Sequence, residues 1–263
     1  MRGDDTRLLE VSGLRIRVPG RILVEALDVT LTRGEFIAIL GRNGTGKTLS
    51  LLTLAGLRRA DAGTIRLGGE PIAALRRHQV ARQLALLPQD TDDIFPATVL
   101  DTALIGRHPH IGRLSWESPR DYELAQAALE QVGIGSLAHR DVLSLSGGER
   151  RRLAIAQILT QSPDIYLLDE PTNHLDPQHQ VDTLSIFRRA ADSGAGVIAS
   201  LHDVNLAARV ADRCLLLFGD GRWELGATNE VLDETRLEAL FDTPMEAVSW
   251  RDRRLFIASG GRS

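Results

Sequence analysis

Residues 41–48 read Gly41-Arg42-Asn43-Gly44-Thr45-Gly46-Lys47-Thr48 and match the pattern G-x-x-x-x-G-K-[ST] at every specified position. The apolar residues 36–40 before this stretch predict a buried strand, and residues 48–55 predict the start of a helix. A strand, a glycine-rich turn and a helix start form the context that is typical of a phosphate-binding loop. An ordinary glycine-rich turn with a surface lysine is disfavoured, because chance matches usually lack these flanks.

The residue types in this stretch suit a nucleotide and Mg²⁺. Gly41, Gly44 and Gly46 allow tight backbone conformations that a Cβ would block. Successive N–H groups can then point into one concavity, to which the helix N-terminus adds partial positive charge. Lys47 supplies a full charge for the β- and γ-phosphates, and Thr48 supplies a hydroxyl ligand for Mg²⁺.

Composition sets further bounds. The 263 residues carry a net charge of −4, which gives no sign of a nucleic-acid partner. Cys214 is the only cysteine, so no disulfide can form within the chain, and its apolar neighbours predict a buried structural thiol. The first residues are polar and acidic, and no run approaches the ~18–20 apolar residues of a spanning helix. We therefore expect a cytoplasmic protein that meets a membrane only through a partner.

The pattern along the chain predicts an α/β fold with two additions. Residues 8–31 alternate in short runs and predict an N-terminal antiparallel sheet, and the first helix is predicted to end at residues 60–63. Residues 99–159 predict a helical subdomain, about 95–160, inserted into the core of a single domain spanning 1–263. The other elements alternate and favour a parallel core sheet: strands at 64–67, 84–87, 164–169, 197–201 and 215–218, helices at 178–191 and 204–210, and weak helical turns at 229–232 and 235–240.

Asp169 and Glu170 come at the end of the apolar run 165–168. Ligands bind at the carboxyl ends of parallel strands. We expect Asp169 to belong to the Mg²⁺ shell and Glu170 to polarise the attacking water as general base. The alternative is that the two carboxylates only cap the next helix.

Leu145-Ser146-Gly147-Gly148-Glu149 is the most discriminating motif of the chain. Ser146 and Glu149 have the spacing of a capping box at the start of an amphipathic helix. Two glycines just inside that start leave its N–H groups bare, and a bare helix N-terminus is an anion site. The motif therefore predicts both a helix cap and a phosphate contact.

With residues 41–48, this motif makes the chain resemble the nucleotide-binding subunits of ABC transporters over essentially its whole length. The resemblance implies an ABC cassette with a RecA-like core sheet, and two copies packed head to tail with each ATP between residues 41–48 of one and 145–149 of the other. It further implies that Gln89 senses Mg²⁺ and the nucleophilic water and touches the transmembrane partner. It implies that His202 hydrogen-bonds the γ-phosphate, and that Asn173-His174-Leu175-Asp176 crosses the dimer interface.

One position departs from the family pattern. The family usually stacks an aromatic ring on adenine from the N-terminal sheet, and alignment by spacing puts that position on or near Val18. No Tyr, Phe or Trp lies between residues 1 and 33. We therefore expect apolar contact between Val18 and the base, with weaker discrimination between ATP and GTP.

Two stretches are similar to ATPases that import ferric siderophores, haem or cobalamin. They are residues 104–110, Leu-Ile-Gly-Arg-His-Pro-His, and residues 171–180, Pro-Thr-Asn-His-Leu-Asp-Pro-Gln-His-Gln. The resemblance implies a peripheral subunit on the cytoplasmic face of the cell membrane, which drives two permease subunits and works indirectly with a substrate-binding protein. The alternatives are a soluble, non-transport ABC ATPase, for example in iron–sulfur assembly, and another phosphate-loop enzyme such as a kinase or GTPase, which has no use for residues 145–149.

The remaining polar clusters predict little chemistry. His108-Pro109-His110 is predicted to be an exposed turn rather than a metal site, and His174 and His179 have no ligand cluster to join. The run Arg150-Arg151-Arg152 is predicted to be a solvated helix face.

Overall fold

The computed structural model describes residues 6–89, 96–112, 115–173, 175–251 and 253–259. The strands in this part of the chain are β1 (Arg7–Val18), β2 (Arg21–Thr32), β3 (Phe36–Leu40), β4 (Ala62–Leu67), β5 (Glu70–Pro71), β6 (Leu84–Leu87), β7 (Ile165–Asp169), β8 (Gly196–Ser200), β9 (Arg213–Leu217), β10 (Trp223–Ala227), β11 (Met245–Trp250) and β12 (Arg253–Ala258). The α-helices are α1 (Lys47–Leu54), α2 (Arg77–Gln83), α3 (Val99–Leu104), α4 (Pro119–Gln131), α5 (Gly147–Gln161), α6 (Pro177–Asp192), α7 (Val204–Val210), α8 (Thr228–Val231) and α9 (Glu234–Phe241).

The central sheet has the strand order β10-β9-β3-β8-β7-β6 and is parallel except for β10. Every residue of β3, β7 and β8 is buried. Alternate side chains of β3 enter different cores: Phe36, Ala38 and Leu40 face one, and Ile37 and Ile39 face the other. A strand covered on both faces must be apolar throughout, so the predicted parallel core is confirmed.

The N-terminal sheet has the order β2-β1-β4-β5 and is antiparallel, as predicted. Its apolar side chains and those of α1 form the core on one face of the central sheet. Strands β1 and β2 are longer than predicted, because register shifts let each continue through irregular positions. The predicted end of the first helix at residues 60–63 is wrong: α1 ends at Leu54, and residues 62 and 63 already belong to β4.

Helices α3, α4 and α5 lie between β6 and β7 in the chain. They pack on one another around buried residues such as Val99, Ala125, Leu129 and Ile155, and this core continues onto the second face of the central sheet. Helix α5 thereby spans from an exposed N-terminus at Gly147 to the sheet. No helix in the described ranges is long and apolar enough to cross a bilayer.

The sequence did not predict β10 or the hairpin of β11 and β12. Each residue of β10 is only half-buried, so the strand lacks the apolar run that reveals a buried strand. The weak helical turns predicted just before the hairpin form α8 and α9. Cys214 in β9 is fully buried, and burial raises the pKa of its thiol to about 11, so the prediction of a structural thiol is confirmed.

Candidate active site

The loop between β3 and α1 depends on two glycines. Gly46 lies at the N-cap of α1 with a φ of 105°, in the left-handed region, and a Cβ there would lie 3.2 Å from the Leu23 Cβ. A Cβ at Gly41 would lie 2.5 Å from the Leu217 carbonyl oxygen and 2.6 Å from the Thr45 hydroxyl. The sequence therefore folds this loop tightly against β9 and the helix start.

Lys47 is the first residue of α1, and only 6% of it is exposed. Its ammonium donates to the carbonyl oxygens of Gly41, at 2.9 Å, and Arg42, at 3.3 Å. Burial lowers the pKa of this ammonium, whereas the carboxylates of Glu170 and Asp169 act in the opposite direction. The cation thus lies directly over the loop, where a phosphate chain would meet both the charge and the backbone N–H groups.

Asp169 and Glu170 lie at the carboxyl end of β7 and are both buried. Glu170 has a φ of 47°, a left-handed conformation that non-glycine residues rarely adopt. The Ser200 hydroxyl, at the end of β8, accepts the Glu170 N–H at 2.9 Å and donates to the Asp169 carboxylate at 2.6 Å. Sequence reasoning missed Ser200, although a serine at the end of an apolar strand was a visible signal.

The Glu170 carboxylate accepts hydrogen bonds from two sides. The Asn173 amide donates to one oxygen, and the His202 Nε2 contacts the other. Because a carboxylate only accepts, this contact requires the His202 proton to be on Nε2. Helix α6 is capped by Asp176, so the alternative that Asp169 and Glu170 merely cap the next helix is wrong.

A cavity of about 390 Å³ joins these groups. Lys47, Thr48, Gln89, Glu170 and His202 line one part of it. The remaining lining residues belong to the loop, the first turns of α1 and the N-terminal sheet, and none is aromatic: Val18, Arg21, Leu23, Asn43, Gly44, Gly46 and Leu49.

Val18 is half-buried at the side of the cavity formed by the N-terminal sheet. Sequence reasoning missed its neighbour Arg21, whose Nε donates to the Gly219 carbonyl at 2.7 Å. A larger cavity of about 840 Å³ lies between α7 and β12, but none of the predicted site residues lines it. Volume alone therefore does not identify the chemical site.

The prediction of a solvated arginine face on α5 is wrong at Arg151, of which only 4% is exposed. Its guanidinium donates to carbonyl oxygens at the ends of β6 and β7, among them Pro88 at 2.6 Å, Glu170 at 2.8 Å and Asp169 at 2.9 Å. One side of α5 faces the strand ends, and the buried carbonyls there need donors. Sequence reasoning missed Arg151, because backbone carbonyls leave no pattern in a sequence.

The N-terminus of α5 lies outside the cavity. Ser146 is exposed, and its hydroxyl accepts the Glu149 N–H at 3.3 Å and donates to the Glu149 carboxylate at 2.7 Å, so the predicted capping box forms. The Ser146 N–H and hydroxyl lower the pKa of that carboxylate. Gly147 is exposed, Gly148 is half-exposed and Leu145 is buried beneath them. A surface helix tip with two glycines results.

Asp176 also lies outside the cavity. Its carboxylate accepts the His179 N–H at 3.0 Å and the His179 Nδ1 lies 2.7 Å away, while the Arg152 guanidinium lies 3.0 Å from the His179 Nε2. Arginine only donates, so the His179 proton is on Nδ1. This chain of contacts joins the segment at Asp176 to α5. His174 lies outside the described residues.

Residues 108–110 do not form the predicted exposed turn. Residues Ile105–His110 form a 3₁₀ helix against α5, and a Cβ at Gly106 would lie 2.2 Å from the Gln157 carbonyl oxygen. The His110 Nε2 lies 2.9 Å from the Gln161 carbonyl, and burial lowers its pKa. His108 stays exposed. Close packing on α5 explains the difference.

The oxygen donors at and beside the cavity fit Mg²⁺ in kind. Thr48 and Gln89 line the cavity, whereas Asp169 is buried next to Glu170 and does not line it. Mg²⁺ usually takes one or two protein ligands together with phosphate oxygens and water, so it needs no dedicated protein cage. Thr48 offers a hydroxyl, Gln89 an amide oxygen and Asp169 a carboxylate. In the described residues, no group of three or more His, Cys, Asp or Glu side chains could form such a cage.

Comparison with known proteins now identifies the family. Residues 24–173 match the family model described as ABC transporter. The chain belongs to the ABC transporter family. Relatives include the hemin import ATP-binding protein HmuV of Myxococcus xanthus, which is 38% identical over 250 residues. This match covers 92% of each of the two chains. Another is the cobalamin import ATP-binding protein BtuD of Halobacterium salinarum, which is 37% identical over 236 residues. This match spans 89% of the present chain but only 58% of the length of BtuD.

Solved structures agree on the ABC ATPase fold. A metal-chelate type ABC transporter in an inward-facing conformation matches 97% of this chain and 98% of its own, with 29% identity and a TM-score of 0.84. A nucleotide-free ATP-binding cassette from an ABC transporter matches 90% of this chain and 96% of its own, with a TM-score of 0.74 and 19% identity, which shows the fold alone. The predicted fold class and family resemblance are confirmed.

Proposed function

We propose that this chain is the ATP-hydrolysing subunit of an ABC import system and acts as a head-to-tail dimer with a second copy of itself. One observation carries the proposal: Lys47, Glu170 and His202 share a cavity, whereas the Ser146-Gly147-Gly148 helix tip stands apart from it on the surface. In the proposed dimer, each ATP lies between the cavity of one copy and this tip of the other.

The cavity holds the triphosphate through charge and backbone donors. The N–H groups of residues 41–48 and the N-terminus of α1 surround the β- and γ-phosphates, and the Lys47 ammonium exchanges its carbonyl partners for phosphate oxygens. Val18 contacts the base on the side of the N-terminal sheet. Thr48, Gln89 and Asp169 would hold Mg²⁺, which when bound neutralises charge on the phosphates.

Glu170 acts as the general base for the attacking water. Its carboxylate is held by Asn173 and by the Nε2–H of His202, so its orientation is fixed before the proton moves. His202 turns the same Nε2–H toward the γ-phosphate as charge develops there. Gln89 faces the cavity from β6 and senses the water and the metal. The partner's Ser146 and Gly148 bind the γ-phosphate from the opposite side.

The γ-phosphate therefore bridges two copies of the chain. Binding of ATP closes the dimer, the segment containing Asp176 crosses the interface, and hydrolysis removes the bridge so that the dimer reopens. Closure moves α3, α4 and α5 of each copy, and the surface beside Gln89 passes this movement to two permease subunits. The chain would then lie at the cytoplasmic face of the membrane without entering it.

The proposed cargo is a metal chelate, such as haem, cobalamin or a ferric siderophore, delivered by a substrate-binding protein. The names of the relatives and the neighbouring metal-chelate transporter support this class. The cargo does not touch this subunit in the proposed system, so cargo choice belongs to its partners.

Co-purification from native membranes tests the assignment. A tagged chain should bring down integral membrane permeases, and its deletion should abolish uptake of one of the three chelate types, with uptake restored by the wild-type chain and not by Lys47→Ala. Recovery of soluble iron–sulfur scaffold proteins instead, with chelate uptake unchanged, would favour the non-transport class. Absence of ATP hydrolysis by the assembled complex would contradict the proposal as a whole.

A further inference from the structure

Arg151 makes an unusual set of contacts. It lies in the first turns of α5, five residues after Ser146, and within the described part of the chain its guanidinium donates to five backbone carbonyl oxygens. Two lie just after β6, Pro88 at 2.6 Å and Gln89 at 3.2 Å. The other three are Asp169 at 2.9 Å, which is the last residue of β7, and Glu170 at 2.8 Å and Pro171 at 3.5 Å, which follow it.

These carbonyls belong to the backbone that carries Gln89 and Glu170. From the other side, the Ser200 hydroxyl accepts the Glu170 N–H at 2.9 Å, so the left-handed peptide at Glu170 is held from both β8 and α5. The planar guanidinium presents its donors in a fixed fork, so it can span two adjacent strand ends. A lysine ammonium is a point charge and cannot span them in this way.

We propose that Arg151 is a positioning residue that fixes Gln89 and Glu170 to the helix whose tip carries Ser146. In each subunit, α5 then connects the γ-phosphate contact made to the partner's ATP with the general base for the subunit's own ATP. Through Arg151, a displacement of the tip, which contacts the partner's ATP, changes the geometry of hydrolysis of the subunit's own ATP. This inference rests on the proposed function.

The test compares Arg151→Met with a matched control. Arg188 in α6 also donates to buried carbonyls, those of Gly34 at 2.9 Å and Val210 at 3.2 Å, but it lies away from the cavity. Arg151→Met should lower kcat for ATP by about 10- to 100-fold, the effect of small misplacements of catalytic groups, and leave the Kd for ATP within about twofold. Arg188→Met should lower the melting temperature and leave kcat per folded molecule unchanged. Arg151→Lys, which keeps the charge but not the fork, should fold and should not restore kcat.

A double-mutant cycle separates positioning from general loosening of the fold. If Arg151 acts through Glu170, then Arg151→Met should reduce residual turnover far less in a Glu170→Gln background than in the wild type. Equal factors in both backgrounds, wild-type kcat in folded Arg151→Met, or full rescue by lysine would overturn the inference. The proposed function would survive each of these results, since it depends on ATP hydrolysis and chelate uptake by the wild-type chain, which none of these variants tests.

Discussion

The helix starts of α1 and α5 both contain glycine, Gly46 at the N-cap of α1 and Gly147 and Gly148 in the first turn of α5, and they differ in their surroundings. The start of α1, with the buried Lys47, lies in a cavity that Glu170 and His202 of the same chain also line. The start of α5 is a surface, where the exposed Ser146 is engaged with Glu149 of its own capping box. The cavity at the start of α1, which we call the cavity site, holds the catalytic groups. The start of α5 is a surface without such groups.

This difference indicates that the two helix starts complement each other. A helix N-terminus gives a γ-phosphate partial charge and N–H donors, but it lacks the base and the full cation that hydrolysis needs. Those groups surround α1, and α5 is rigidly connected to the same strand ends through Arg151. In the proposed dimer, a second copy would supply each start with what it lacks.

The largest expected effect on kcat is at the cavity site. Glu170→Gln removes the proton acceptor and keeps the shape, and its single amide oxygen can accept from only one of the two donors, Asn173 or His202. We therefore expect kcat to fall by at least about 100-fold. ATP should still bind, and the unhydrolysed nucleotide should accumulate a dimer measurable by size-exclusion chromatography. Wild-type turnover in this variant would remove Glu170 from its assigned role.

The exposed helix start should be catalytic in spite of its exposure. Ser146→Ala should lower kcat by at least about 10-fold, since it removes a donor to the partner's γ-phosphate. Ser118→Ala is the matched control, because Ser118 forms the same capping box at α4. Each variant should lose about 1 kcal/mol of folding stability with its cap. Comparable kcat values for the two variants would reduce Ser146 to a helix cap.

At the cavity site, kcat should depend more on the hydroxyl group of residue 200 than on the volume of its side chain. Ser200→Val removes the hydrogen bonds to Asp169 and Glu170, whereas Ser200→Thr has nearly the same shape as valine and keeps a hydroxyl. We expect kcat about 10-fold lower for valine than for threonine, as is typical when one group is misplaced by a fraction of an ångström. Binding of ATP in EDTA should be equal for both, and equal kcat values would show that the hydroxyl has no role.

The smallest expected effect concerns the base. Val18→Tyr adds a ring beside the cavity and should tighten ATP binding by about 1 kcal/mol, the lower end of base–aromatic stacking, which is about fivefold in Kd. The wild-type chain should discriminate weakly between ATP and GTP in hydrolysis. A strong ATP preference in the wild type would show that Val18, or its neighbour Arg21, already selects the base.

The sequence predicted those parts of the site whose chemistry lies in consecutive residues. Residues 41–48, 145–149 and 169–170 each carry their residue types in one short stretch, so the pattern and its flanks were sufficient to propose them as site residues. Arg151 and Ser200 escaped prediction because their partners are backbone groups and side chains of distant strands; Pro88, for example, is 63 residues from Arg151. Charge alone predicted a solvated face for Arg151, but packing of α5 on the strand ends buried it.

The fold followed the same rule. Strands that are buried on both faces, such as β3, β7 and β8, were predicted from their apolar runs. Strand β10 was missed because every residue of it is only half-buried, and the end of α1 was misplaced because β4 pairs with β1, which is a long-range event.

The most direct test of the account asks whether one ATP is held by two chains. In a Glu170→Gln background, a tagged chain with Lys47→Ala and an untagged chain with Ser146→Glu each lack one wall of the site, but together they form one intact site. MgATP should increase the amount of the untagged chain that is captured with the tagged chain. It should not increase capture when the tagged and untagged chains carry the same variant. Equal capture in mixed and unmixed pairs, or no ATP-dependent capture of the mixed pair when the two parent Glu170→Gln chains do associate, would contradict the shared site.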